Sequence, residues 1–329
     1  MPERVIYFPR INPPDSEWFT RVLLYWDEVG TIVPLGGPTE VLDDYARGLV
    51  DAGLVRPVIP ARYIGQIPRF DDAFLELIEH DPAVPRSRVD LDRVPRARIH
   101  VQKFGDRLAR ELERRGLARP AGSYGWFEVE QRTGHLFMTY LATALGSLQE
   151  LAMTPITERE EHLKLLSGDS GELGEPVRAA LKVAVLQGAL PAPAVGVPPQ
   201  EIAKFKRENA ALLVEFREEV TRRALEATRA APEAWVELAT LEGGDIGRMA
   251  AELTASMRGR NWRKIGLGAL GVVGPGVALL DAATTGGAIA ASAGLLGAVL
   301  GAFGGRRPPQ PPAHGLGYAA AAAQRFSTA

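Results

Sequence analysis

The chain of 329 residues contains no cysteine. This absence excludes disulfides, thiolate metal ligands and cysteine nucleophiles, and it agrees with a reducing compartment. Histidine is also scarce, and the five histidines show no spacing typical of a metal site: His80, His100, His135, His162 and His314. The sequence therefore predicts neither a metal nor any other cofactor.

The chain also lacks a strong charge of either sign. Its net charge of −2 gives no general attraction to nucleic acid or to anionic lipid. Hydrophobic residues make up 46% and charged residues 24%, as in globular proteins. The first residues show no basic segment followed by an apolar one, so we expect no signal peptide and a cytoplasmic protein.

Recognisable catalytic motifs are missing as well. Gly266, Gly268 and Gly271 match the glycine spacing of dinucleotide-binding loops, but Pro275 interrupts the helix that such a loop must open. The acidic pair before His162 is interpreted as a solvated helix start, where carboxylates are favourable. The sequence names no reaction, and we favour a non-enzymatic protein.

The hydrophobic pattern predicts an α+β fold. Strands and helices alternate at the start of the chain, which is typical of a parallel α/β unit: strand Val5–Phe8, a helix from Asp15 or Ser16 whose apolar face reaches Val29, strand Thr31–Pro34, helix Thr39–Ala52 and strand Leu54–Ile59. Later predicted elements are strand Trp126–Glu130 and the helices 135–151, 156–166, 201–231, 233–241 and 246–257. The predicted divisions are an α/β domain (1–174), a helical region (175–260), an apolar hairpin (261–305) and a flexible Pro/Ala-rich tail (306–329).

Two regions resemble a bacterial protein family. The first contains Tyr7-Phe8-Pro9, Trp18, Leu24 to Val29 and Ile32-Val33-Pro34, similar to the family's YYP strand and its YWD-x-V-x-x-IVP joint. The second contains Leu190-Pro-Ala-Pro, Val197-Pro, Glu201-Ile202, Phe205-Lys206, Asn209 and Phe216-Arg217. The family carries no assigned activity, so the resemblance implies an architecture and transfers no catalytic residues.

The most unusual segment is Ile265–Gly304, in which Asp281 is the only formally charged residue. Arms of 16 and 22 residues flank Asp281, and arginine or lysine lies on both sides of the segment. Small residues recur on one predicted helix face, which allows helices to pack closely. The candidate membrane or interface residues are Ile265, Gly271, Asp281, Gly294, Gly297, Ala298, Gly301 and Ala302.

Three surfaces can cover this apolar segment. The longer arm is long enough to span a bilayer, but its alanine and glycine content makes insertion of a single helix weak. Burial within a soluble domain or in an interface between copies of the chain serves equally well, since an exposed apolar surface of this size is not tolerated.

A basic segment, 86–119, carries eleven Lys and Arg against five Asp and Glu, a net charge of +6. It contains one aromatic residue, Phe104, so it offers no stacking platform for bases. The candidate anion-binding surface consists of Arg107, Arg110, Arg114 and Arg115.

We draw three functional hypotheses from these patterns. The leading one is a non-enzymatic protein whose apolar hairpin engages the inner membrane peripherally or on a trigger, as in a toxin or defence effector. The second is a soluble oligomeric scaffold, so self-association and membrane lipid are the expected partners. The third, a nucleic-acid-acting protein using the basic segment, is the weakest because no acidic metal cluster accompanies it.

Overall fold

The computed structural model describes residues 3–35, 41–122, 125–167, 174–191, 196–257 and 315–326. Helices combine with one parallel and one antiparallel sheet, which confirms the predicted α+β class. The apolar segment Ile265–Gly304, with all eight of its candidate residues, lies outside the described residues.

A four-stranded parallel sheet forms the centre of the N-terminal region. Its strands, in the spatial order β3-β2-β1-β7, are β1 (Arg4–Tyr7), β2 (Glu28–Ile32), β3 (Val55–Val58) and β7 (Thr154–Ile156). Helices α1 (Glu17–Tyr25) and α2 (Asp44–Asp51) connect the first three strands. The predicted alternation of strands and helices in this part of the chain is therefore confirmed.

Strand β1 is buried on both of its faces. Val5 and Tyr7 enter one hydrophobic core, whereas Ile6 and Phe8 enter the other. Such a continuous apolar run is typical of a central strand in a parallel sheet covered on both sides. The two edge strands β3 and β7 each contain a proline, which the edge of a sheet tolerates because a ladder donor is not needed there.

Helix α1 begins with a side-chain cap and ends earlier than its periodicity predicts. The Ser16 hydroxyl accepts a hydrogen bond from the Phe19 amide, which satisfies a free donor of the first turn. The backbone becomes extended at Trp26. The prediction that Val29 continues the helical face is wrong, because Val29 pairs with Val5 in the sheet.

An insertion separates β3 from β7. It contains α3 (Phe70–His80), β4 (Arg96–His100), α4 (Gly105–Arg114), β5 (Ala118–Pro120), β6 (Trp126–Glu130) and α5 (Gln131–Gly146). Strands β4, β6 and β5 form an antiparallel sheet, and α5 contacts strands of both sheets. At Gly134 a Cβ atom would lie 2.6 Å from the Cβ of Ala97, so glycine allows α5 to approach β4 closely.

The described residues after β7 form helices. These helices are α6 (Glu160–Ser167), α7 (Glu175–Ala189), α8 (Pro199–Glu208), α9 (Ala210–Ala227), α10 (Trp235–Met257) and α11 (Leu316–Phe326). Buried residues of α7 to α11 share one core with α1, β1 and β2. The predicted helix 156–166 starts too early, since Ile156 belongs to β7 and α6 begins at Glu160.

Two other predicted helix boundaries are wrong. The helix expected over 201–231 is broken at Asn209, whose side-chain amide and backbone N–H both donate to the Phe205 carbonyl. The helices expected over 233–241 and 246–257 are one helix, α10. Gly243 packs against α7 there, and a Cβ atom would lie 2.0 Å from the Val185 carbonyl oxygen.

The C-terminal part of the predicted flexible tail is instead an ordered helix, α11. Tyr318 is fully buried, and its hydroxyl donates to the Leu24 carbonyl at 2.6 Å. Its ring stacks on Phe216 with centroids 5.3 Å apart. The alanine-rich composition suggested a loose end, but small side chains let α11 fit closely among larger ones.

Candidate functional site

A cleft lies at the carboxyl edge of the parallel sheet, between β1 and β7. The chain proceeds from β1 to β2 and β3 on one side, whereas β7 joins β1 on the other side. Ligands of open α/β sheets bind at such a reversal of strand order, because the loops leaving the two strands diverge there. Residues Pro9 to Asn12 follow β1 and line the cleft, as do Arg159, Glu161 and His162 after β7.

The insertion forms the opposite wall of this carboxyl-edge cleft. Its contribution comes from β4, from the turn after β4, from β6 and from the first two turns of α5: Ala97, Arg98, Ile99, Lys103, Trp126, Gly134, His135 and Met138. The volume is about 490 Å³, which is within the range of small-molecule sites.

Positive charge dominates the carboxyl-edge cleft. Arg10, Arg98 and Arg159 are exposed at its mouth, and Lys103 lies within it. Glu161 is the carboxylate on its wall. A second carboxylate, Glu158, lies 3.7 Å from Arg10 and 3.9 Å from Arg159, so even with Glu158 included the cations exceed the carboxylates by two.

Lys103 is the most unusual of these cations. It is 4% exposed, and among the described residues nothing forms a hydrogen bond or an ion pair with it. Burial lowers the pKa of its amine from 10.5 to about 8, because desolvation penalises the ammonium form. Buried charges in proteins are normally paired, and burial alone, with no contribution from a carboxylate, accounts for the pKa of this amine.

Two neutral histidines, His135 and His162, also line the carboxyl-edge cleft. The rings of His135 and His162 are 4.8 Å apart, and the Nδ1 atom of His162 is 2.8 Å from the Thr139 hydroxyl. Burial lowers the pKa of His135 and brings the pKa of His162 to about 4. Both imidazoles are therefore uncharged at pH 7 and can accept a proton.

The amides at the start of α5 are already occupied. The Glu130 carboxylate accepts hydrogen bonds from the amides of Arg132 and Thr133, both at 2.8 Å. An anion in the carboxyl-edge cleft would therefore be bound by side chains, not by the amides of this helix terminus.

A second cleft, of about 350 Å³, lies at the amino edge of the same sheet. Its cations are neutralised locally: Lys182 pairs with Glu3 at 3.1 Å, and Arg178 pairs with Glu175 at 2.9 Å. This cleft therefore lacks the unpaired charge that distinguishes the carboxyl-edge cleft.

Within the described ranges, His, Asp and Glu side chains nowhere gather in a group of three that could hold a metal ion. None of the described helices is both long enough and apolar enough to cross a bilayer.

The basic residues singled out from the sequence lie on α4 or directly after it. Three of them are engaged by carboxylates: Arg107 lies 3.6 Å from Asp71, Arg114 binds Glu111 at 2.6 Å and Arg115 binds Glu79 at 2.8 Å. Arg110 is exposed on the same helix. These pairs reduce the local charge, and an anion-binding role for this surface stays a prediction.

The two regions that carry the family resemblance contact each other. The Arg217 side chain donates to the Tyr25 carbonyl at 3.0 Å and binds the Asp27 carboxylate at 2.9 Å. Lys206 donates to the Trp26 carbonyl. The Tyr-Trp-Asp motif therefore anchors α8 and α9 at the end of α1, which is a structural role distant from the carboxyl-edge cleft.

Sequence reasoning missed the carboxyl-edge cleft. Lys103 was one of eleven basic residues in its segment, and His135 and His162 were interpreted as scattered. Their 27-residue separation gives no local pattern, because the rest of α5 and all of β7 lie between them. Recognition of β7 as a strand would have indicated this edge of the sheet.

Comparisons with protein-family models, with curated proteins and with solved structures find no match for this chain. This outcome is consistent with the resemblance to a family that carries no assigned activity. The interpretation of the carboxyl-edge cleft therefore rests on its geometry.

Proposed function

We propose that the protein binds a small organic anion in the carboxyl-edge cleft. The observation that carries this proposal is the buried Lys103, which has three arginines at the mouth of its cleft and no anionic partner among the described residues. A ligand carboxylate or phosphate would balance the excess of positive charge in the cleft. Charge-assisted hydrogen bonds to arginine are among the strongest that a protein makes, and they suit both of these groups.

The apolar part of the cleft favours an organic ligand over a bare inorganic ion. Ile99, Met138 and Trp126 contribute to the wall, and the Arg98 guanidinium lies 5.5 Å from the centre of the Trp126 ring. A mostly apolar pocket with few converging polar groups is typical of small-molecule sites.

Thermal unfolding in the presence of anions tests the proposal. Malonate and inorganic phosphate should raise the melting temperature of the wild type, because a ligand that binds only the folded state stabilises it. Sodium chloride at the same ionic strength provides the baseline. Replacing both Arg10 and Arg159 by glutamine should abolish most of the shift, since both side chains are exposed and their pairs with Glu158 are long.

The matched control is Arg178→Gln in the amino-edge cleft, which should leave the anion-dependent shift unchanged. An equal shift in the wild type and in the Arg10/Arg159 double variant would refute binding in the carboxyl-edge cleft.

We also propose that the apolar segment Ile265–Gly304 engages membrane, as its uncharged arms and basic flanks suggest. The described helices that precede and follow it, α10 and α11, contact each other. This proximity supports a hairpin between them. Replacing 258–314 by a short Gly/Ser linker keeps α11, and with it the buried Tyr318. Flotation of the full chain with liposomes should be lost in this variant.

Failure of the full chain to float would contradict membrane engagement. A monodisperse oligomer in light scattering without detergent, lost in the linker variant, would instead favour an interface between copies of the chain.

A further inference from the structure

We propose that Lys103 is a nucleophile that forms an imine with an aldehyde or ketone bound in the carboxyl-edge cleft through its anionic group. This inference rests on the proposed anion binding and names the substrate class of that cleft: small carbonyl compounds that carry a carboxylate or a phosphate. Two features support it, the surroundings of Lys103 and the presence of a proton acceptor, His135, on the lining of the same cleft.

The surroundings of Lys103 favour an uncharged amine. The residue is 4% exposed, apolar residues such as Ile99 and Met138 share its wall, and the cleft cations outnumber the carboxylates. Burial brings its pKa to about 8, so roughly a tenth of the amine is free at pH 7. Desolvation, the cause of the lowered pKa of Lys103, is a means by which proteins activate lysine as a nucleophile.

The exposed arginines and the buried lysine would contact different ends of the substrate. The exposed guanidinium groups of Arg10 and Arg159 at the mouth can hold the anionic end of a substrate. The carbonyl end of a short substrate would then reach inward toward Lys103. An aldehyde without an anionic group lacks this attachment.

The chemical step requires no oxidant or reductant. The free amine of Lys103 adds to the carbonyl carbon, a C–N bond forms, and the π pair of the carbonyl moves to its oxygen. The nitrogen loses one proton while the oxygen gains one, giving a carbinolamine. A second proton, supplied by solvent, converts the hydroxyl into water, which leaves as the nitrogen lone pair forms the C=N bond, giving a protonated imine.

His135 is the group that can move these protons. It lines the carboxyl-edge cleft together with Lys103, and burial keeps its imidazole neutral at pH 7. A neutral imidazole can accept the proton that the nitrogen loses and deliver it to the oxygen, and it can then pass a second proton, taken from solvent, to the departing hydroxyl.

Reductive trapping tests the inference on the intact protein. Glyoxylate is the probe, because it combines an aldehyde with a carboxylate, and acetaldehyde is the uncharged comparator. Cyanoborohydride reduces any imine to a stable amine, and peptide mass spectrometry locates it among only six lysines. We expect modification of Lys103 by glyoxylate at least about tenfold faster than by acetaldehyde.

Lys206 provides an internal control in the same sample. Burial also lowers its pKa to about 8, but it donates to the Trp26 carbonyl and lies outside the carboxyl-edge cleft. If glyoxylate modifies Lys206 as fast as Lys103, a lowered pKa alone explains the reactivity and the inference is wrong. Absence of modification at Lys103 under conditions that label other lysines would overturn it as well.

The variant Lys103→Arg separates this inference from the proposed function. Arginine keeps the positive charge, so stabilisation by phosphate should persist while trapping at position 103 disappears. Anion stabilisation without trapping in the wild type would refute the nucleophile and leave anion binding intact. Trapping at equal rates with glyoxylate and acetaldehyde, without anion stabilisation, would refute anion binding and the anionic substrate class.

Discussion

Replacement of Lys103 by methionine should stabilise the protein at neutral pH. Methionine keeps an unbranched side chain of similar length and removes the desolvated ammonium. The folded-state pKa of about 8 lies about 2.5 pKa units below the ordinary value of 10.5. At 1.36 kcal/mol for each unit, the buried charge costs about 3 kcal/mol of folding free energy.

The increase in the free energy of unfolding from Lys103→Met should become smaller as pH rises. Below pH 8 the amine is protonated in both the folded and the unfolded chain, so the full penalty opposes folding of the wild type. Between pH 8 and 10.5 the unfolded chain binds more protons than the folded chain, and the wild type becomes more stable as pH rises. The difference between variant and wild type should therefore shrink across this range and vanish above it.

Urea unfolding followed by tryptophan fluorescence at pH 6.5, 8 and 9.5 measures this difference. Lys206→Met is the matched comparator: it also removes an ammonium of lowered pKa, but it takes away the donor to the Trp26 carbonyl and should gain less. A Lys103→Met variant that is less stable than the wild type at pH 6.5, or whose gain does not change with pH, would refute the reasoning. The same variant should lose anion-dependent stabilisation.

Two further predictions concern packing. Tyr318→Phe should lower the free energy of unfolding by about 1 kcal/mol, because the buried Leu24 carbonyl loses this donor; an unchanged urea midpoint would argue against docking of α11. Gly243→Ala should cost about 2 kcal/mol, since its methyl group would lie 2.0 Å from the Val185 carbonyl oxygen. Gly244→Ala, which meets no atom within 4 Å, should be neutral or stabilising by up to about 1 kcal/mol; equal costs for both variants would contradict the observed helix contact.

The first sixty residues could be predicted well because their signals are local. Alternating apolar runs and capping residues determine β1, α1, α2 and β3 within a few positions. The error at Val29 has a clear physical cause. A spacing of three from Trp26 fits a helix, but the pairing of Val29 with Val5 and Val55 in the sheet outweighs that local preference.

The errors in the helical region come from contacts between segments distant in sequence. Gly243 and Gly244 are helix breakers by propensity, yet α10 runs through them, and the missing side chain of Gly243 allows α7 to approach. The alanine-rich end of the chain was expected to be loose. Its ordering depends on the pocket around Tyr318, which Phe205 and Phe216 of other helices provide.

Strand β7 was the most consequential omission. It is three residues long and contains Pro155, so its sequence resembles a helix start more than a strand. Proline is tolerated because β7 lies at the edge of the sheet, a position that a sequence does not reveal. Ligands of α/β sheets bind where the strand order reverses. Without β7 there is no reversal, so the sequence could not indicate a ligand site.

The insertion explains the excess of positive charge in the carboxyl-edge cleft. Loops at the end of a parallel sheet supply Arg10 and Arg159, but Arg98 and Lys103 come from the antiparallel sheet and the turn after it. Gly134 lets α5 approach β4 closely, which places His135 on the same wall as Lys103. Apolar packing alone does not require a lysine at that depth, where it costs about 3 kcal/mol. Lys103 lowers the stability of the fold, and it lies in a cleft where the strand order reverses. Binding or chemistry is expected at such a position.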